Sequence, residues 1–148
     1  MVNSRFKFRA FVKHLGQLAD VLSIDFLDSE VEIYLVDRYE IRKYRFGEDE
    51  IVLLPFTGLK DKNGIDIYEG DILLVTSEIY TNFGKTPTGR FSKEYYEVIW
   101  KDDGWGHKVL KSDHTIEGTE IKGLKVTTKY VEVIGNIYEN PELLEGEK

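Results

Sequence analysis

Asn63-Gly64 lies within DKNGIDIYEGD, where apolar and polar residues alternate after the pair. An Asn-Gly pair between alternating segments is the strongest short-range signal for a β hairpin, because a type I′ turn needs positive φ at both central residues. Similar punctuation recurs at Leu15-Gly16, Gly47, Glu69-Gly70 and Asp102-Asp103-Gly104. Apolar runs between these breaks are short and rich in β-branched and aromatic side chains, which favour strands over helices. The chain is therefore expected to be mainly β, a small barrel or a sandwich.

Individual segments follow from that frame. Arg5 to Ala10 alternates with period two and predicts a half-buried strand with Phe6 and Phe8 inward. Residues 11–22 carry apolar side chains at helical spacing, but Gly16 and the lack of a cap before Phe11 favour a hairpin turning at Leu15-Gly16. Val31 to Val36 reads as a strand, and Arg38 to Glu50 as an edge with an exposed turn at Gly47. Pro55 is expected to keep Ile51 to Phe56 from forming a regular central strand. Strands are also expected at Ile72–Thr76, Tyr95–Trp100, His107–Lys111, within Ile121–Thr127, and at Tyr130–Tyr138. Residues 77–93 read as a long connection or an extended, mobile hairpin. Asn140-Pro141-Glu142 has the order of an N-cap, a first-turn proline and an acid near the positive end of a short helical turn.

The chain has 148 residues and no cysteine, which removes disulfides and Cys-based metal or redox sites from consideration. Its start lacks an apolar signal-peptide core, and no apolar run approaches a bilayer span. Cytoplasmic location is the expectation. The formal net charge of −7 disfavours nucleic-acid binding. Arg5, Lys7, Arg9 and Lys13 nonetheless give the first thirteen residues +4 without an acid, a charge that a solvated strand face also explains.

The carboxylates of FTGLKDKNGIDIYEGDILLV, residues 56–75, are the most tempting centre for chemistry. A calcium loop wants Asp-x-(Asp/Asn)-x-(Asp/Asn)-Gly. Here Gly64 falls two residues early and Lys62 would sit beside the ion. Asp61, Asn63, Gly64, Gly70 and Asp71 are therefore assigned to turns, with Asp61 and Asn63 closing one by hydrogen bonds and Asp71 satisfying donors at the next strand. His14, His107 and His114 show no ligand spacing, and His107 beside Trp105 reads as a strand-surface pair. No nucleophile elbow or phosphate loop is present. No catalytic, metal or cofactor-binding residue is expected.

Tyr95 and Tyr96 must lie on opposite faces of a strand, so one of them is expected to be exposed. The candidate partner surface is Tyr80, Phe83, Arg90, Tyr95 and Trp105.

KFRAF at residues 7–11, FTGLKDKNGIDIYEGDIL at 56–73 and VEVIGNIYENPELL at 131–144 resemble, in order, the three signature blocks of the YopX protein family of bacteriophages and prophages. Phe11 stands where members commonly have Trp, and Leu54-Pro55 where they have Met-Gln. The resemblance implies an N-terminal β-rich sub-domain, residues 1–56, and a C-terminal SH3-like barrel with its tail, residues 57–148. It brings no established catalytic residues to carry over. The expected function is that of a phage or prophage accessory protein, not an enzyme, binding an unidentified host or phage protein. Nucleic-acid binding through Arg5, Lys7, Arg9, Lys85, Arg90 and Lys93 is the alternative. Homo-oligomerisation through exposed strand edges is a further expectation.

Overall fold

The computed structural model describes residues 6–47, 50–124 and 129–145. The chain divides into two compact units, residues 1–58 and 59–148.

The first unit is an antiparallel sheet. Its strands are β1 (Phe8–Val12), β2 (Gln17–Asp25), β3 (Glu30–Leu35), β4 (Glu40–Arg45) and β5 (Ile51–Lys60), whose end runs past residue 58. They lie in the order β4-β3-β2-β1-β5. Residues 13–16 turn the chain between β1 and β2, with the Gly16 amide donating to the Val12 carbonyl at 2.9 Å. Helical spacing in residues 11–22 thus gives way to a hairpin, in which Ala10 faces Ala19 across the ladder. Alternate positions fill the core: Ala10 and Val12 from β1, Val31, Ile33 and Leu35 from β3, and Ile51 from β5.

Two expectations are corrected here. Phe6 has the same parity as Ala10 and Val12, but the ladder ends at Phe8 opposite Pro55, and Phe6, past that end, is 74% exposed. Arg5 lies outside the described residues. Pro55 sits inside a ten-residue strand rather than interrupting one. The Phe56 amide donates to the Lys7 carbonyl at 3.0 Å, so alternation turns the Pro55 nitrogen away from β1, and that ladder loses no donor.

In the second unit β6 (Asp66–Tyr68) follows β5 and hydrogen-bonds alongside it. β7 (Asp71–Thr81), β8 (Thr86–Lys101), β9 (Gly104–Lys111), β10 (Glu120–Lys122) and β11 (Val131–Asn136) form an antiparallel sheet in the order β10-β9-β8-β7-β11. The part of the expected Ile121–Thr127 strand beyond Leu124 lies outside the described residues. Both faces of this sheet are covered. Leu73, Val98 and Val131 pack on one side with Ile67 and Leu124. Ile72, Tyr95 and Leu110 pack on the other with Ile137 and Leu143.

That double cover corrects the expectation for Tyr95 and Tyr96. They do lie on opposite faces, but each face has its own core, so Tyr95 is buried and Tyr96 half-buried. His107 is likewise no surface residue: its ring lies 4.4 Å from that of Tyr96 and is buried.

The chain ends in a 3₁₀ turn, Pro141–Glu145. Asn140 does not cap it with its side chain. Its Oδ1 instead accepts the Asn136 amide at 3.1 Å, while the Asn140 carbonyl accepts the Leu143 amide.

Candidate functional site

The turn after β5 differs from the type I′ expectation. Among its residues only Gly64 has positive φ (+81°), and Asn63 does not. The Gly64 amide donates to the Asp61 carbonyl at 3.0 Å and the Asp61 amide to the Ile65 carbonyl at 2.8 Å. This is a wider turn with one left-handed residue, which glycine adopts without a Cβ clash. Asp61 makes it possible. Its Oδ1 accepts the Asn63 and Ile65 amides at 2.8 and 2.9 Å, and its Oδ2 accepts the Val133 amide of β11 at 2.9 Å. Burial alone would raise this carboxyl, yet the three amides outweigh it and hold the group below its ordinary value of 3.8.

The neighbouring signature residues are used in the same manner. The Asp71 carboxylate, almost fully buried, accepts the Tyr68 amide at 2.8 Å. Gly70 donates to the Val98 carbonyl and accepts from the Ile137 amide, both at 2.9 Å, and a Cβ there would lie 3.0 Å from the Tyr138 ring. Asp66 pairs with Lys60 at 2.6 Å. Among the described residues no three His, Cys, Asp or Glu side chains are grouped to hold a metal ion.

A shallow concavity of about 280 Å³ lies over β8, lined by Glu69, Glu97, Glu120, Trp100 and Tyr138. Its register explains it: Glu97, Lys108 and Glu120 stand in a row across β8, β9 and β10. Burial raises the Glu97 carboxyl; Lys108 opposes this and Glu120 and Glu69 add to it. Burial also raises Glu69. Sequence reasoning missed this grouping, because its members are spread over three strands and a turn and only strand order aligns them.

The candidate partner residues separate into two groups. Tyr80, Phe83 and Arg90 lie on the β7–β8 hairpin, which is a single ordered ladder rather than a loose connection. β11 flanks β7 only as far as Val75, and β9 flanks β8 only from Tyr95. Residues 76–93 therefore form a two-stranded ribbon with no described strand beside it. Its bulge is knitted by the Thr88 hydroxyl donating to the Ile79 carbonyl at 2.6 Å and the Gly89 amide to the Glu78 carboxylate at 3.2 Å. Glu78 pairs with Phe91 and Tyr80 with Pro87, so alternation puts Tyr80 and Phe91 on one face. At the tip Asn82, Phe83 and Gly84 all have positive φ, and Phe83 is 100% exposed. Tyr95 and Trp105 are not part of this surface. Tyr95 belongs to the core, and Trp105 is half-buried with its ring edge-on to Trp100 at 5.0 Å.

The family model for the YopX protein matches residues 7–145. The chain belongs to the YopX protein family. No curated protein matches it. The solved structures it resembles include the crystal structure of protein EF1440 from Enterococcus faecalis, at 25% identity and a TM-score of 0.56, covering 94% of this chain and 97% of that one.

The other long signature block of this YopX-family chain also has a structural basis. Within VEVIGNIYENPELL, the Asn136 Oδ1 accepts the Tyr138 and Glu139 amides at 3.0 and 2.8 Å, and its Nδ2 donates to Glu139. Gly135 gives this network room: a Cβ there would fall 2.5 Å from the Asn140 Oδ1. Hydrogen bonds to backbone and the packing of loops thus occupy Asp61, Asp71, Asn136 and Asn140.

Proposed function

We propose that this YopX-family chain is a non-catalytic accessory protein of a phage or prophage that binds a host or phage protein through the β7–β8 ribbon. The observation that supports this reading is Phe83, fully exposed and in the left-handed region at the ribbon's tip. An L-residue other than Asn or Asp is held there at a cost of about 1–2 kcal/mol, and exposed apolar surface gains nothing in water. Entry of the side chain into a partner's pocket removes that apolar area from water, while the backbone strain is already present in the free chain. Tyr80 and Phe91, about half-exposed on one face behind it, extend the same surface. The non-catalytic part of the reading draws on Asp61 and Asp71, whose carboxylates accept backbone amides of the turns they close.

The test is capture from a host lysate by the full chain and by a variant with residues 78–91 replaced by a two-residue Asn-Gly turn. A protein retained by the first and lost by the second is the expected result. Equal recovery by both would remove the ribbon from the reading.

A second reading, nucleic-acid binding, draws on Lys85, Arg90 and Lys93 spaced along the same ribbon near its aromatic side chains, an arrangement that suits single strands. It requires salt-sensitive binding. A labelled oligonucleotide whose mobility is unchanged at low salt excludes it.

A further inference from the structure

We propose that Asn63-Gly64 is a latent site of covalent self-modification, protected by the closed turn after β5. Conversion of Asn63 to isoaspartate releases that turn from β11.

The chemistry is that of a side-chain amide next to a glycine. In the open chain the Gly64 nitrogen attacks the Asn63 Cγ. A new N–Cγ bond closes a succinimide ring, the nitrogen gives up its proton to solvent, and the side-chain amide leaves as ammonia. Water then cleaves one of the ring's C–N bonds and a proton returns to nitrogen. Cleavage at Cγ yields aspartate, and cleavage at the Asn63 backbone carbonyl yields isoaspartate. Glycine favours ring closure because it has no Cβ to obstruct the approach and leaves the backbone free to rotate. Of the asparagines, Asn63 alone precedes a glycine; Asn3, Asn82, Asn136 and Asn140 precede Ser, Phe, Ile and Pro.

The Asn63 side chain is exposed, so water has access to it. Backbone hydrogen bonds are what withhold the reaction. The Gly64 amide, which must swing toward Cγ and lose its proton, donates to the Asp61 carbonyl at 3.0 Å. Its neighbours, the Asn63 and Ile65 amides, donate to the Asp61 Oδ1 at 2.8 and 2.9 Å. The Asp61 and Lys62 amides donate to the Ile65 and Val131 carbonyls at 2.8 and 3.0 Å. Every amide from residue 61 to residue 65 is thus engaged, and the Gly64 nitrogen can move only when the turn opens. Reaction in the folded chain is therefore limited by the open fraction, as hydrogen exchange is.

The change is one-way. Isoaspartate routes the main chain through an extra carbon between residues 63 and 64, inside the loop that the Asp61–Ile65 pair closes. That pair is bonded in both directions, and a longer loop cannot keep both bonds. The same turn holds β11, through the Asp61 Oδ2 on the Val133 amide at 2.9 Å and the Lys62 amide on Val131. Losing the turn geometry loosens both.

The test ages the full chain at neutral pH beside its Asp61→Ala variant and a synthetic peptide of residues 56–69, following residue 63 by peptide mass spectrometry. Asp103-Gly104 can form the same ring but returns to its starting mass, so it does not confuse the reading. Asn63 in the full chain is expected to convert slower than in the peptide by about tenfold or more. Asp61→Ala is expected to convert faster than the wild type by about tenfold or more, the scale of losing hydrogen bonds to a charged acceptor. If Asp61→Ala does not fold, the wild type in urea below its unfolding midpoint serves instead, and its conversion rate is expected to climb with urea. Wild type converted in urea, refolded and separated from unconverted chain is then expected to exchange its Val133 amide faster by about tenfold or more. A folded chain that converts as fast as the peptide, a folded Asp61→Ala no faster than the wild type, or a rate indifferent to urea overturns the protection. Unchanged exchange at Val133 after conversion overturns the release of β11.

Discussion

At the scale of single residues, the Asp61 carboxylate joins the turn after β5 to β11 by accepting three backbone amides. Asp61→Ala leaves those donors without partners, and a loss of roughly 2–3 kcal/mol in urea unfolding is expected from hydrogen bonds to a charged acceptor. The pH response has a definite sign. The folded carboxyl lies below its ordinary 3.8, so its stabilisation is present above that value and is lost as pH falls through the depressed one. Urea midpoints of the wild type are expected to decline below about pH 4, and those of Asp61→Asn to decline less over the same window. His107 behaves differently. Burial lowers its imidazole below the ordinary 6.5, against the opposing effects of the Gly123 backbone and Glu94, and its Nδ1 has no partner among the described residues. The unfolded chain therefore binds this proton first, and stability falls as pH drops through about 6.5. In melting curves from pH 8 to pH 5, His107→Leu should flatten that slope, and an unchanged slope would rule out the assignment.

At the scale of elements, the ribbon and the short strand β10 behave oppositely. β10 approaches β9 closely because Gly106 has no side chain: a Cβ there would strike the Ile121 carbonyl. Gly106→Ala is expected to lose about 1–3 kcal/mol through forced separation of the two strands, and hydrogen exchange should report it first at Ile121. The ribbon stands clear of both neighbouring strands, and strain is concentrated at its tip. Phe83→Gly should therefore leave thermal stability unchanged or raise it by up to about 1 kcal/mol, since glycine takes the left-handed conformation freely. The same variant is expected to lose partner capture. A drop in both stability and capture would mean that Phe83 supports the fold and is no free anchor. These elements also show what pattern reading can and cannot supply. Leu15-Gly16 and Asn63-Gly64 mark hairpins because turn chemistry is local. Pro55 misleads because a missing donor matters only on the side where a neighbour stands, and which side that is depends on the ladder.

For the whole molecule, each unit has its own core: one around Ile33, Leu35 and Ala10, the other on both faces of the β7–β8–β9 sheet. Ile33 is fully buried, and Ile33→Ala should cost about 2–5 kcal/mol in the first unit. Hydrogen exchange then distinguishes separate from shared cooperativity. The expected outcome is loss of protection in β2 and β3 while Leu73 and Val98 keep theirs. Equal loss throughout would make the chain one folding unit.

The mainly β character, the places where the chain turns and the membership of a family were written in the sequence, because alternation, β-branched runs and glycine positions act over a few residues. Whether a strand has one covered face or two was not. Tyr95 and Tyr96 read as an inward–outward pair until Leu143 and Ile137 close the second face. Nor did the spacing of Asp61 show its bond to Val133, 72 residues away. Tertiary packing decided those matters, since burial and long-range hydrogen bonds depend on which distant segments the sheet order brings together. The chain's local pattern holds no record of that order.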